Sequence, residues 1–379
     1  DPLWSRGLGD VYKRQDWNYG WGGAWEHCTS LTTFPALDFS SGINFHAAWA
    51  DCHSLTAFPD VDLSKGTDFR RTWQGCTSMT TFASTRFGSG TNFTYTWDGC
   101  SGLTSFPAVD IGSCTNLPGT WRGCTGLTSF PLIDTSHVVN FSGNYTWQGA
   151  WQGCSGLTSF PTLDVSSGTN FRGTWKDCTG LTSFPALNFN STRELYSTWE
   201  NCHGLTSFPL IDTSRVTSFY AAWNGCSSLT SFPLLDVSSG TDFSVAWHYC
   251  TGLTSFPVLN TSNGTNFSGT WSGCEGLTSF PFIDVSKSTS FYGAWYDCPN
   301  IVDFPAGMFD NCTATDFRYC WNYAISLSET SVDNILVSID TAGQLNGQLD
   351  MPWTHVTGTA GIAAKANLIA KGWTINTAP

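Results

Sequence analysis

The stretch Trp121-Arg-Gly-Cys-Thr-Gly-Leu-Thr-Ser-Phe-Pro-Leu-Ile-Asp-Thr-Ser136 is one copy of a unit that recurs along nearly the whole chain. Each copy opens with a tryptophan, and most successive tryptophans are 24 residues apart. The spacing is 30 residues after Trp121 and 26 residues after Trp295. Such a period indicates one supersecondary unit per copy, stacked on its neighbours as a solenoid. The opening tryptophans are Trp25, Trp49, Trp73, Trp97, Trp121, Trp151, Trp175, Trp199, Trp223, Trp247, Trp271, Trp295 and Trp321.

The pattern inside the unit predicts its secondary structure. With the tryptophan as repeat position 1, apolar residues return at positions 21, 24, 1 and 4. This i, i+3, i+4, i+7 spacing predicts a short helix, weakened by glycines at positions 3 and 23, with threonine at position 19 as its N-cap. Leu-Thr-Ser-Phe at positions 7–10 predicts a strand that the following proline ends. We therefore predict an α/β solenoid of about twelve strand-plus-short-helix repeats.

A family resemblance follows from these motifs. The motif Cys-x-x-Leu-Thr-Ser-Phe-Pro, together with Ile-Asp-Thr-Ser-Arg-Val-Thr-Ser-Phe at 211–219, resembles the BspA-like leucine-rich repeats of bacterial surface proteins. The resemblance covers roughly residues 20–322, with tryptophan where that family usually has a Met-Phe pair. It implies a leucine-rich-repeat stack in a secreted or cell-surface protein that serves adhesion or ligand binding. The partners that it implies are a host or matrix protein or a glycan.

The two ends of the chain depart from the repeat. Residues 1–15 resemble the translated reading frame of a sequencing adapter, so we treat them as an artefact and expect the natural N-terminus to be missing. A signal peptide is then not observable. The solenoid is predicted over 16–322 and a C-terminal α/β capping module over 323–379. Within this module we predict a helix from Thr330 to Gly343, a strand over 348–351, a helix over 362–371 and a strand over 373–375.

Composition and charge exclude several classes of function. The chain has 16 basic and 29 acidic residues, a formal net charge of −13. This balance argues against nucleic acid and anionic membrane surfaces as partners. No apolar run approaches the ~20 residues that a transmembrane helix needs. Because only 12% of residues are charged and serine, threonine and glycine fill the polar positions, we predict an extracellular or cell-surface protein.

No motif in the chain carries catalytic chemistry, so we predict a protein that is not an enzyme and has no catalytic residues. The seven histidines share no repeat position, and neither a phosphate-binding glycine loop nor an HExxH motif is present. We expect no cofactor, with one alternative for metal binding. The acidic ladder at position 14 is predicted to cap its own turns, and could instead bind Ca²⁺ or cleave glycosides. Its members are Asp38, Asp62, Asp110, Asp134, Asp164, Asn188, Asp212, Asp236, Asn260 and Asp284.

The cysteines form a second ladder, because twelve of the fifteen stand at position 4. The spacing between repeats falls within the Cα distance that a disulfide permits. Parallel buried thiols, however, pack well as small hydrophobic groups. We therefore favour a mostly reduced ladder, with Cys312–Cys320 as the bridge to expect in an oxidising compartment. The chain has no Cys-x-x-Cys pair, which argues against a zinc ribbon.

The candidate binding residues lie where the copies differ. Position 12 is apolar in several copies and, if exposed, forms an interaction stripe. A six-residue insertion in the copy from Trp121 adds two aromatic residues. The alternative function is ice or carbohydrate binding through the threonine ladder at position 8 or through exposed tryptophans. The candidate residues are Leu132, Leu210, Leu234, Val258, Phe282, Tyr145 and Trp147.

Overall fold

The structure is a computed structural model, and the chain in it divides into two compact units, Asp1–Leu181 and Thr182–Pro379. We describe each unit by itself. The residues that the structure describes are 20–83, 86–111, 114–143, 148–351 and 357–376.

Each unit is a stack of the 24-residue repeats. Neighbouring copies run parallel and are joined by β-bridges between their residues at position 20. The predicted repeat solenoid is therefore confirmed within each unit. The bridged residues are Asn44, Asp68, Asn92, Asn116, Asn140 and Asn170 in the first unit, and Glu194, Ser218, Asp242, Asn266, Ser290 and Asp316 in the second.

The tryptophan rings form the centre of each core. From Trp25 to Trp175, neighbouring rings stack with centroids 5.1–5.7 Å apart and planes 4–7° from parallel. From Trp199 to Trp321 the distances are 5.1–6.1 Å and the angles 3–12°. The phenylalanine at position 10 packs edge-on against this ladder. Both arrangements are favoured by the ring quadrupole.

The predicted short helix at positions 21–4 is wrong, because this segment forms a series of turns. Alternate amides donate to the next repeat, as the Trp49 N–H does to the Thr72 carbonyl at 2.8 Å. The amides between them close turns, as the Ala48 N–H does on the Phe45 carbonyl at 3.0 Å. These turns need positive φ at positions 23 and 3, such as 53° at Ala47. Glycine tolerates this conformation best, which explains its frequency at both positions.

Two further expectations for the repeat need correction. Threonine at position 19 caps no helix, since Thr241 donates its N–H and its hydroxyl to the Thr217 carbonyl, at 2.8 and 3.1 Å. The segment at positions 7–10 is extended, but among the described repeats it pairs as a regular parallel strand only in β1 (Ala57–Phe58) with β2 (Thr81–Phe82). Elsewhere a backbone hydrogen bond between position-8 residues joins the copies.

The C-terminal part of the second unit contains β3 (Asp316–Phe317), α1 (Glu329–Thr341), β4 (Gln348–Asp350), α2 (Thr359–Ala370) and β5 (Thr374–Asn376). Its strands continue the position-20 ladder as a three-stranded parallel sheet of order β3-β4-β5. The two helices pack against each other, and α1 buries Val332, Ile335, Leu336 and Ile339, the face that the sequence predicts. Neither described helix has the length and hydropathy that crossing a bilayer requires. Both predicted helices and both predicted strands are confirmed, with shifted ends.

None of the fifteen cysteines, all of which lie in the described ranges, is bridged by a disulfide in this structure. The Cys76 Sγ donates to the carbonyl of Trp49, which opens the preceding copy, at 3.2 Å. The same contact recurs along both units. Burial raises the pKa of Cys76 and of Cys154 to about 12. Cys312 and Cys320 are each buried and unbridged.

Candidate functional site

The apolar stripe predicted at position 12 lies on the exposed face of the extended segments. In the copies that start at Trp199, Trp223, Trp247 and Trp271, the side chains at positions 10 and 13 are buried, whereas those at positions 8, 9, 12 and 14 are exposed. Leu210, Leu234, Val258 and Phe282 occupy four consecutive copies of the second unit and are 53–67% exposed. They form one continuous apolar line, which we call the stripe.

The remaining candidate residues are not part of the stripe. Leu132 is equally exposed but belongs to the first unit, where Ala108 and Thr162 hold position 12 in the neighbouring copies. Ser142 and Gly149, which flank the six-residue insertion, form an antiparallel bridge. Tyr145 and Trp147 lie within this insertion, outside the described residues.

Acidic side chains at position 14, two residues after the stripe in each copy, border the stripe. We call Asp212, Asp236 and Asp284 the acidic rim. Asp212 accepts hydrogen bonds from the Ser214 N–H at 3.0 Å and from the Ser214 hydroxyl at 2.7 Å. These bonds lower the pKa of Asp212, so this carboxylate is ionised at neutral pH. Asp236 and Asp284 make the same backbone contact, as does Asn260 between them. The predicted capping role of position 14 is confirmed.

The metal-binding and ice-binding alternatives depend on the titratable side chains and on the threonines at position 8. Within the described ranges, no three His, Cys, Asp or Glu side chains stand together in a way that would hold a metal ion. At position 8, the Thr230 hydroxyl donates to the Thr206 carbonyl at 3.5 Å, and Thr254 repeats this contact on Thr230 at 3.3 Å. These hydroxyls therefore contribute to the contact between repeats.

The tryptophan ladder is not available to a saccharide, because its rings are buried in both units. Exposed aromatic rings are found instead on the turn face of the second unit. Tyr220, Tyr292 and Tyr319 are 37–45% exposed and border a depression of about 500 Å³. Ser268 and Gly269 form part of its floor, together with other small residues. We call this depression the tyrosine trough.

Sequence reasoning missed the trough, although a signal was present. Seven of the eleven tyrosines fall between residues 196 and 323, all at repeat positions 22, 23, 2 or 3. On a helix of about 100° per residue these positions would also fall on one side, opposite the apolar positions 21, 24, 1 and 4. The clustering of tyrosines at these positions was therefore the signal that the sequence offered. The seven are Tyr196, Tyr220, Tyr249, Tyr292, Tyr296, Tyr319 and Tyr323.

Comparisons with known proteins do not name a family. No protein-family model matches the chain, and no curated protein matches it. A leucine-rich repeat protein from Eubacterium ventriosum is 13% identical, with a TM-score of 0.29, over 74% of this chain and 88% of that one. The plant peptide hormone receptor RGFR1 in complex with RGF2 is 12% identical, with a TM-score of 0.22, over 86% and 68%. At these scores neither likeness carries an argument.

Proposed function

We propose that this chain is a non-enzymatic binding protein of the leucine-rich-repeat type, secreted or displayed at a cell surface, that serves adhesion. The observation that carries the proposal is the stripe of Leu210, Leu234, Val258 and Phe282. A contiguous exposed apolar patch is typical of an interaction site. The partner is a host or matrix protein that presents an apolar ridge.

The acidic rim narrows the class of partner. Asp212, Asp236 and Asp284 run beside the stripe, and the net charge of the chain is −13. Complementary charge contributes to the rate and specificity of association. We therefore expect lysine or arginine residues next to the apolar ridge of the partner, and we expect association to slow as ionic strength rises.

The cysteine ladder is compatible with an extracellular location. The thiolate is the reactive form of cysteine, and burial in apolar surroundings suppresses it. The pKa of Cys154 is raised to about 12, and its Sγ donates to the Trp121 carbonyl at 3.0 Å. Thiols held in this way resist oxidation without being bridged.

The test is binding of the purified protein to immobilised collagen, fibronectin, laminin and fibrinogen, measured by surface plasmon resonance. Leu234→Asp places a charge in the middle of the stripe and should weaken binding at least tenfold, about 1.4 kcal/mol or more. Leu132→Asp is the matched control, because Leu132 has the same repeat position and exposure but stands outside the stripe. Its binding should equal that of the wild type.

Two results would count against this function. One is the absence of saturable binding to every matrix protein. The other is an equal loss in Leu234→Asp and Leu132→Asp, which would place the contact elsewhere. Raising the salt concentration should also slow association of the wild type, and an unchanged rate would remove the role given to the acidic rim.

A further inference from the structure

The tyrosine trough is a second candidate binding surface that shares no residue with the stripe. It lies on the turn face at repeat positions 22, 23 and 2, whereas the stripe lies at position 12. Its volume of about 500 Å³ falls within the range of ligand sites.

The walls of the trough are held in place by their neighbours. The Tyr292 and Tyr319 rings pack edge to face, with centroids 5.3 Å apart. The Arg318 guanidinium lies 5.4 Å from the centroid of Tyr292 and is fixed by a 2.9 Å ion pair with Asp316. These contacts orient the rings before any ligand arrives, which lowers the entropic cost of binding.

The floor is kept low by the choice of residue at position 23. Gly269 has a φ of 61° there, and a Cβ would meet the Val245 side chain at 3.0 Å. Gly293 holds the same position one copy later, also with a φ of 61°. The copies that start at Trp49 and Trp73 have the large side chains of Arg71 and Tyr95 at this position instead.

The polar groups in the trough are uncharged. Among the residues that line it there is no Asp, Glu, Lys or Arg. The half-buried Ser268 hydroxyl lies 3.2 Å from the Ser290 hydroxyl and, like any hydroxyl, can both donate and accept, whereas the buried Ser244 hydroxyl already donates to Asp242. His248 is half-buried, and burial lowers its pKa, so the ring is neutral at pH 7 and offers one donor and one acceptor.

From this chemistry we propose that the tyrosine trough binds a neutral oligosaccharide. Pyranose rings present apolar C–H faces that stack on aromatic side chains, and their hydroxyls match the serines and the neutral imidazole. Tyr220 and Tyr292 stand three repeats apart, about 14 Å at the usual strand spacing, which is longer than one sugar ring. No cationic side chain is in the lining, and Arg318 beside Tyr292 is paired with Asp316, so acidic glycans and phosphorylated ligands are disfavoured.

The test is isothermal titration of the full chain with neutral hexasaccharides of β-1,4-glucan, β-1,3-glucan, β-1,4-xylan, β-1,4-mannan and α-1,4-glucan. Hexagalacturonate and decaproline serve as an acidic glycan and an aromatic-binding peptide. At least one neutral hexasaccharide should bind with a Kd below about 1 mM. Tyr292→Ala should weaken that binding about tenfold, and Tyr292→Phe by less than threefold, because the phenyl ring remains.

Two more variants locate the site. Ser268→Trp fills the trough while leaving its tyrosines unchanged, and it should abolish binding. Tyr95→Ala is the control, because Tyr95 belongs to the first unit and has a guanidinium over its ring, that of Arg122 at 5.5 Å, as Tyr292 has that of Arg318 at 5.4 Å. Its affinity should equal that of the wild type, and circular dichroism should show every variant folded.

The outcomes separate this proposal from the adhesive function. Binding of no neutral hexasaccharide would overturn it, as would tighter binding of hexagalacturonate or decaproline. Retention of sugar binding in Ser268→Trp, or an equal loss in Tyr95→Ala, would place the site elsewhere. Leu234→Asp should bind the sugar normally, so failure of the stripe as an adhesion site leaves this test unaffected.

Discussion

The tryptophan ladder has an unusual feature that a pair of substitutions can test. Trp271 is fully buried, and its indole Nε1 has no hydrogen-bond partner among the described residues. Its ring stacks on Trp247 at 6.1 Å and on Trp295 at 5.1 Å, and Phe280 packs edge-on at 4.8 Å. The role of the side chain is therefore ring packing alone, without hydrogen bonding.

This role fixes the expected order of two variants. Trp271→Ala should cost about 5 kcal/mol, since truncation of a buried aromatic side chain leaves a cavity and breaks both stacks. Trp271→Phe should cost only about 1 kcal/mol. It keeps an aromatic ring, and it removes a buried donor whose lack of a partner is itself unfavourable by about 1–3 kcal/mol. Equilibrium urea unfolding, followed by circular dichroism, measures both.

Trp373 provides the matched comparison. It is also buried, but its Nε1 donates to the Gln344 carbonyl at 2.8 Å. Trp373→Phe leaves that carbonyl without its donor and should cost about 1–3 kcal/mol more than Trp271→Phe. If Trp271→Phe proves as damaging as Trp271→Ala, or more damaging than Trp373→Phe, the ladder indoles form hydrogen bonds and the argument from ring packing fails.

The two other ladders yield predictions about pH. Asp212→Ala loses the contacts to Ser214 and should cost about 1 kcal/mol in urea unfolding at pH 7, whereas Asp212→Asn should be nearly neutral. Because the folded pKa of Asp212 is lowered, its contribution is lost as pH falls below about 4, and an equal acid response in wild type and Asp212→Asn would contradict this. The pKa of Cys154 is raised from 9.0 to about 12. The contribution of this thiol to the free energy of unfolding is therefore fully present below pH 9, and the free energy of unfolding should fall steeply as pH rises above 9. Cys154→Ala should soften that alkaline unfolding in circular dichroism, and an unchanged profile would refute the assignment.

The sequence predicted the parts of the fold that depend on the same residue type recurring at the same repeat position. A tryptophan, a cysteine and a phenylalanine at the same place in each copy have to stack when copies run parallel, and they do. In seven copies the aspartate at position 14 accepts from the amide of a serine two residues later, so its capping role follows from local geometry.

The turn segment could not be predicted because its apolar spacing is shared by two structures. A helix and a series of four-residue turns both return an apolar residue after three or four positions. The two structures differ in the hydrogen-bond acceptors of alternate amides. In the turns these amides donate to the neighbouring copy, as the Trp223 N–H does to the Ala246 carbonyl at 2.9 Å. The second signal was glycine at positions 3 and 23, where φ is positive, as at Gly225 and Gly269.

The distribution of variation within the copies indicates where recognition can reside. Positions 1, 4 and 10 repeat almost without change because each side chain must match its equivalent in the neighbouring copy. Side chains at positions 12 and 22 lie towards solvent and need no such match, so they differ between copies. Position 12 holds Leu234 in one copy and Thr162 in another, and position 22 holds Tyr292 in one copy and Ser268 in another. In the second unit the variable residues become apolar on one face and aromatic on the other. Since both faces rest on the same rigid ladder, a charge placed in the stripe should leave the trough intact, and a tryptophan placed in the trough should leave the stripe intact.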